Sequence, residues 1–68
     1  MNPSELAPHV TVTSRALRPL LGGQVVVRTA SSLWHATLLS CVEESAWLVV
    51  DDTDVVVHLG DILWVHAA

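Results

Sequence analysis

The sequence contains no lysine, tyrosine or phenylalanine, and one cysteine, Cys41. A single cysteine excludes an intrachain disulfide and any cysteine-rich metal site. Arg15, Arg18 and Arg28 stand against seven carboxylates, and the formal net charge is −4. Within residues 24–68 six carboxylates face Arg28 alone, a net of −5. Affinity for nucleic acid comes largely from neutralising phosphate with Lys and Arg. This balance therefore argues against RNA or DNA as a partner unless symmetry gathers the arginines, and equally against an anionic membrane surface. No apolar run approaches the roughly twenty residues needed to cross a bilayer. The first residues carry no basic stretch followed by an apolar one, so no export signal is expected, and the lone cysteine fits a cytoplasmic location.

What is present is apolar. Hydrophobic residues make up 51% of the 68 positions, and all three aromatics are tryptophan: Trp34, Trp47 and Trp64. Val25-Val26-Val27, Trp47-Leu48-Val49-Val50 and Val55-Val56-Val57 are unbroken apolar runs. A strand with one wet face alternates apolar and polar residues, whereas runs of this kind suit strands covered on both faces. A chain this short has little surplus material for such cover. Disulfides are excluded, so the expected stabiliser is association with further copies.

Along the chain, residues 1–13 carry Pro3 and Pro8 with little periodicity and read as a flexible N-terminal tail. Residues 14–68 read as one domain. Ser14 is the expected N-cap of a short helix from Arg15 to Leu21, ended by Gly22-Gly23. Pro19 predicts a late start or a partly 3₁₀ geometry. Five strands follow: Gln24–Thr29, Leu33–Val42, Ala46–Val50, Val55–Leu59 and Ile62–His66. The turns between them are Ala30-Ser31-Ser32, Glu43-Glu44-Ser45, Asp51 to Asp54, and a tight Gly60-Asp61 turn of 3₁₀ type.

A short helix, a glycine, a Val-rich strand, a long strand, an acidic turn and an apolar strand succeed one another from Leu17 to Asp52. A strand, a Gly-containing turn and a closing apolar strand follow from Val55 to Ala68. This succession resembles the two sequence motifs of the Sm-like family. The resemblance covers about residues 15–67 and implies an all-β fold, a small five-stranded Sm-like or SH3-like barrel with a short N-terminal helix. It also implies rings in which the fourth strand of one subunit pairs with the fifth of the next. The family's RNA site does not carry over. Its Asp and Asn would fall in Val42 to Ala46, which has no Asn, and its Arg-Gly in His58 to Asp61, which keeps Gly60 without an Arg. The glycine usual at the bend of the second strand is Ala36 here.

Catalytic and metal chemistry find little support. His35, His58 and His66 lie on three strands without local ligand spacing. The Asp51, Asp52 and Asp54 cluster lacks the oxygen count and glycine of a calcium loop and reads as a turn. Strict alternation puts Cys41 on the face of His35, but Cys41 reads as a small buried hydrophobe and not as a nucleophile. The chain is expected to be no enzyme, to use no cofactor and no metal, and to act as a self-assembling module with a structural or adaptor role. Its expected partners are its own copies in a ring, with a further protein partner as an addition. The expected seam comprises Val55, Val56, Val57, Leu59, Ile62 and Trp64. Alternation in the last strand places Leu63 and Val65 inward and Trp64, with Ile62, outward, where an exposed indole anchors interfaces. Two alternatives remain open at this point. One is a divergent RNA-binding member that gathers Arg15, Arg18 or Arg28 around a ring axis. The other is a small-ligand binder at subunit interfaces that uses Trp and His.

Overall fold

The computed structural model of the chain describes residues 12–68. Most of the expected tail lies outside the described residues. Thr13, at its end, caps the helix: its Oγ1 accepts from the Ala16 amide at 3.1 Å. Val12 packs half-buried against the core. The N-cap is thus one residue earlier than Ser14. Helix α1 spans Ser14–Leu17 and passes directly into a 3₁₀ turn, Arg18–Leu20, with Pro19 near its start. Proline has no N–H to donate and fits only the first positions of a helical segment. The segment therefore restarts at Pro19 instead of continuing as α-helix to Leu21. Gly22, at φ 82°, then turns the chain into the sheet, a conformation glycine adopts without steric cost.

The strands are β1 Gln24–Thr29, β2 Leu33–Val42, β3 Ser45–Val50, β4 Thr53–His58 and β5 Ile62–Ala67. They form one antiparallel sheet in the order β4-β3-β2-β1-β5. The sheet is open: β4 and β5 are its two edges and do not pair with each other. The expected four-residue acidic turn is shorter than read. Val50 pairs with Thr53, so Asp51-Asp52 alone make the loop, both with φ near +60°. A two-residue hairpin loop with both residues left-handed is the type I′ turn, which Asp tolerates better than most residues. Thr53 and Asp54 thereby join β4. At its other end β4 stops at His58, because Leu59–Asp61 form the expected 3₁₀ turn.

Two bulges decide which side chains face inward. Across β2 and β3 the register shifts between Leu38 and Ser40, leaving Leu39 unpaired and exposed. One extra residue inverts the alternation beyond it. Ala36 and Leu38 are buried, and after the bulge it is Cys41, paired with buried Ala46, that turns to the core. His35 and Cys41 therefore face opposite sides, contrary to simple alternation. Across β1 and β5 the register shifts again: Arg28 pairs with Trp64 and Thr29 with Ile62. Ile62 is buried and Val65 half-buried, while Leu63 is 54% exposed. Trp64 and Val65 lie as expected, and Ile62 and Leu63 are exchanged by the bulge.

The core gathers Leu17 from α1, Val25 and Val27, Ala36 and Leu38, Ala46 and Leu48, Val57, Leu59 and Ile62. Every strand contributes, which ties both edges to one apolar centre. Among the described residues the one buried polar side chain is Thr29. Its Oγ1 accepts from the amides of Ser31 (3.3 Å) and Ser32 (3.0 Å), closing the β1–β2 turn. Replacing it by the isosteric valine leaves both amides without that acceptor. Thr29→Val is expected to cost about 1–3 kcal/mol, read as a lower urea midpoint at unchanged m-value. An unchanged midpoint would mean that water satisfies the turn.

Candidate functional site

The two sheet edges carry the exposed chemistry of this chain. The Leu59 amide donates to the Glu44 carbonyl at 2.7 Å, one step outside the pair Ser45–His58. In an antiparallel ladder this marks Ser45–His58 as a wide pair, so the bonded pairs fall at Val57 and Val55. The backbone N–H and C=O groups of Asp54, Val56 and His58 therefore point away from β3, to the free edge. On the other side the Ala68 amide donates to the Gln24 carbonyl at 3.0 Å, one step outside the pair Val25–Ala67. By the same reasoning Val65 and Ala67 direct their backbone groups to the free edge of β5. Each edge presents an unpaired row with no proline in it.

Apolar side chains flank both rows. Val56 is 67% exposed on β4, beside Trp47 at 44% on β3. On β5, Leu63 and Trp64 (41%) are exposed. The Trp64 indole stacks on the His66 ring with centroids 4.7 Å apart and planes within 6° of parallel. Of the residues expected at a seam, Val57, Leu59 and Ile62 are spent in the chain's own core, and Val55 is half-buried against it. Only Val56 and Trp64 offer side chains outward. Val57 is bonded to β3, so the edge groups β4 can offer are those of Asp54, Val56 and His58.

Two depressions border these edges. One, of about 500 Å³, lies in the gap between them, with Val56 and Val57 on one side, Leu63 on the other and Trp34 and Thr29 among its lining. The second, of about 240 Å³, runs between α1 and β5, walled by Val12, Ala16, Leu17 and Leu20 against Leu63, Trp64 and Val65. Sequence reading missed this groove. It depends on where the helix is laid and on Leu63 being turned outward, and neither leaves a periodic trace.

The remaining candidates do not converge on a reaction centre. His58 Nδ1 accepts from the Gly60 amide at 3.0 Å and caps the 3₁₀ turn. That role needs an unprotonated Nδ1, and Nε2 sits 3.5 Å from a Glu44 carboxylate oxygen. His35 is exposed on the outer face of β2, separated from His66 by the β1 strand and its Val26. No three potential metal ligands gather among the described residues. Arg15 and Arg18 lie exposed on the helical segment and Arg28 on β1, so the three arginines do not form one patch within the chain. The acidic turn holds Asp51 and Asp52 at the far end of the β3–β4 hairpin. Comparison of the chain with protein-family models, with curated proteins and with solved structures finds no match in any of the three.

Burial pushes the Cys41 thiol up from its ordinary value. The reactive species is the thiolate, so the folded chain holds less of it at a given pH than the unfolded one. At pH 8 an aromatic disulfide reagent is expected to label Cys41 severalfold more slowly in buffer than in denaturant. Equal rates would show that β2 exposes the thiol past its bulge.

Proposed function

We propose that this chain is a non-enzymatic, self-assembling module of Sm-like build. In this reading the β4 edge of one copy pairs with the β5 edge of the next, and the resulting ring serves a structural or adaptor role. The observation that carries it is the pair of unblocked edges at opposite ends of one open sheet, each lined by exposed apolar side chains. Support for the Sm-like, barrel-type build comes from the strand order, the short helix before β1, the ten-residue β2 with its bulge, and the depression that the two edges share. Two different edges meeting make a heterologous contact, which repeats around a closed ring when the rotation permits.

The RNA-binding alternative gains nothing from the geometry: the arginines are dispersed and the sheet is acidic. The small-ligand alternative has depressions to use, one of them lined by Trp34, Thr29, Ser31 and Asp61, but no histidine lines either.

Light scattering at micromolar concentration is expected to give several times the 7.3 kDa protomer mass. A folded monomer there would end the proposal. Val56→Pro sharpens the test. The Val56 N–H faces the free edge, so proline should leave the β3–β4 ladder whole and remove only a bond to another copy. The variant is expected to keep its circular dichroism and lose its mass. Val57→Pro, whose N–H serves the internal ladder, is expected to unfold.

Trp64→Ala separates interface from core in the same way. A buried indole covers about 150–250 Å², worth at most roughly 4–6 kcal/mol at 25 cal/mol per Å². Assembly is expected to weaken while strand content persists. Loss of the strand signal without a smaller folded species would place Trp64 in the fold's own support.

A further inference from the structure

The depression of about 500 Å³ opens where the sheet fails to close, and its whole lining comes from a single copy. The inference is therefore independent of the assembly reading. Trp34 pairs with buried Val27 and so stands on the inner side of the sheet. It packs half-buried against the core, which leaves part of its indole to the depression. Across the gap β4 brings Val56 and Val57. The irregularity in β5 turns Leu63 away from the core, and Leu63 lines the same space. The 3₁₀ turn Leu59–Asp61 adds Asp61, and the β1–β2 turn adds Ser31.

The chemistry of this lining selects a ligand class. Among the described residues Asp61 is the one charged side chain in the lining, and it has no ion-pair partner. The Thr29 hydroxyl is engaged within its turn, accepting from the Ser31 and Ser32 amides. A ligand thus meets an indole, three aliphatic side chains and one uncompensated carboxylate. Asp61 repels an anion. A hard metal ion takes about six oxygen ligands, and no three potential ligands gather among the described residues. A primary ammonium would give up hydrogen bonds to water that Val56, Val57 and Leu63 cannot replace. A methylated ammonium has few or none to lose. Its methyl groups suit the aliphatic wall, its diffuse positive charge suits an indole face, and a carboxylate balances that charge without needing a direct hydrogen bond.

We propose that the depression between β4 and β5 is a binding site for a methylated ammonium group, with Trp34 as its aromatic wall, Val56, Val57 and Leu63 as its aliphatic wall and Asp61 as the counter-charge. The site differs in place and in chemistry from a Trp and His pocket between subunits. Its volume lies within the range of about 300–1,000 Å³ usual for small-molecule sites. The gap between the edges lets the rest of the ligand trail into solvent.

The test is a titration of the full chain followed by NMR at the Trp34 indole N–H and the Gly60 and Leu63 amides. Choline stands for a solute, and N-acetyl-trimethyllysine methylamide for a modified side chain. Saturable shifts at these positions are expected, and the tighter probe names the source. Neohexyl alcohol has the shape of choline without its charge and is expected to bind about tenfold more weakly. Asp61→Asn keeps the shape of the site and is expected to weaken choline about threefold to fivefold. Asp52→Asn removes the same charge at the far hairpin tip, where Asn also tolerates the left-handed backbone, and is expected to leave choline binding unchanged. Trp34→Leu is expected to cost about tenfold. If that variant loses its strand signal in circular dichroism, the two Asn variants and the uncharged probe decide alone. Equal binding of choline and the alcohol, equal effects of the two Asn variants, or no saturable shift with either charged probe overturns the proposal. Light scattering on the same samples keeps the two readings apart: a monomer that binds supports this site and ends only the ring.

Discussion

One open antiparallel sheet whose outer strands, β4 and β5, do not pair leaves two rows of backbone groups without partners. That constraint organises the rest of the molecule. Water can satisfy the rows, but a regular edge without prolines also invites a further strand. The apolar side chains beside the rows, Val56 on β4 and Leu63 and Trp64 on β5, make water a poor companion. The chain cannot satisfy its own edges with each other, because Leu59–Asp61 turns β4 into β5 without bringing them into a ladder. What the single copy leaves unpaired is what the proposed function draws on.

The bulges at Leu39 and Leu63 are the second organising feature. Each inverts the alternation of one strand, and each does so at a useful place. The bulge in β2 lets one ten-residue strand serve β1 at its start and β3 at its end while turning Cys41 to the core. That in β5 puts Ile62 in the core under the 3₁₀ turn and still keeps Trp64 outside. Without it, one parity would bury the indole or expose the isoleucine. Local twist also rises at a bulge, which suits a sheet that curls until its edges border a common depression.

Much of this architecture was legible in the sequence. The bounds of β1 and β2 follow directly from the Gly22-Gly23 break and the small residues after Thr29. The 3₁₀ character near Pro19 follows from the missing donor. The failures have one physical source each. Reading Asp51 to Asp54 as a single turn ignored that a type I′ loop needs only two left-handed residues, so β4 came out too short. Placing Leu63 inward and Cys41 beside His35 assumed unbroken alternation, and a bulge has no compositional mark when the extra residue is a leucine among apolar neighbours. The seam residues were taken from the two strands that the Sm-like resemblance pairs between copies, without a register to say which of their side chains point outward. Val57, Leu59 and Ile62 turned out to be core because only the register shows which residues of an apolar run point inward.

The distribution of charge gives the edges a direction. Carboxylates sit at turn tips, at Glu43-Glu44 and at Asp51-Asp52, and two of the three arginines sit on the helical segment. Two identical edges brought together would set like charge against like: β4 against β4 would set aspartates near aspartates when parallel and near the Glu44 corner when antiparallel. In the proposed assembly a β4 edge brought to a β5 edge comes beside the helical segment, whose charged side chains are Arg15 and Arg18, so unlike charges approach. Exposed pairs of this kind contribute little affinity singly, which is the proper scale for a bias between edges. In the proposed assembly, backbone pairing and the indole would supply the adhesion, and the charges would bear on which edges meet.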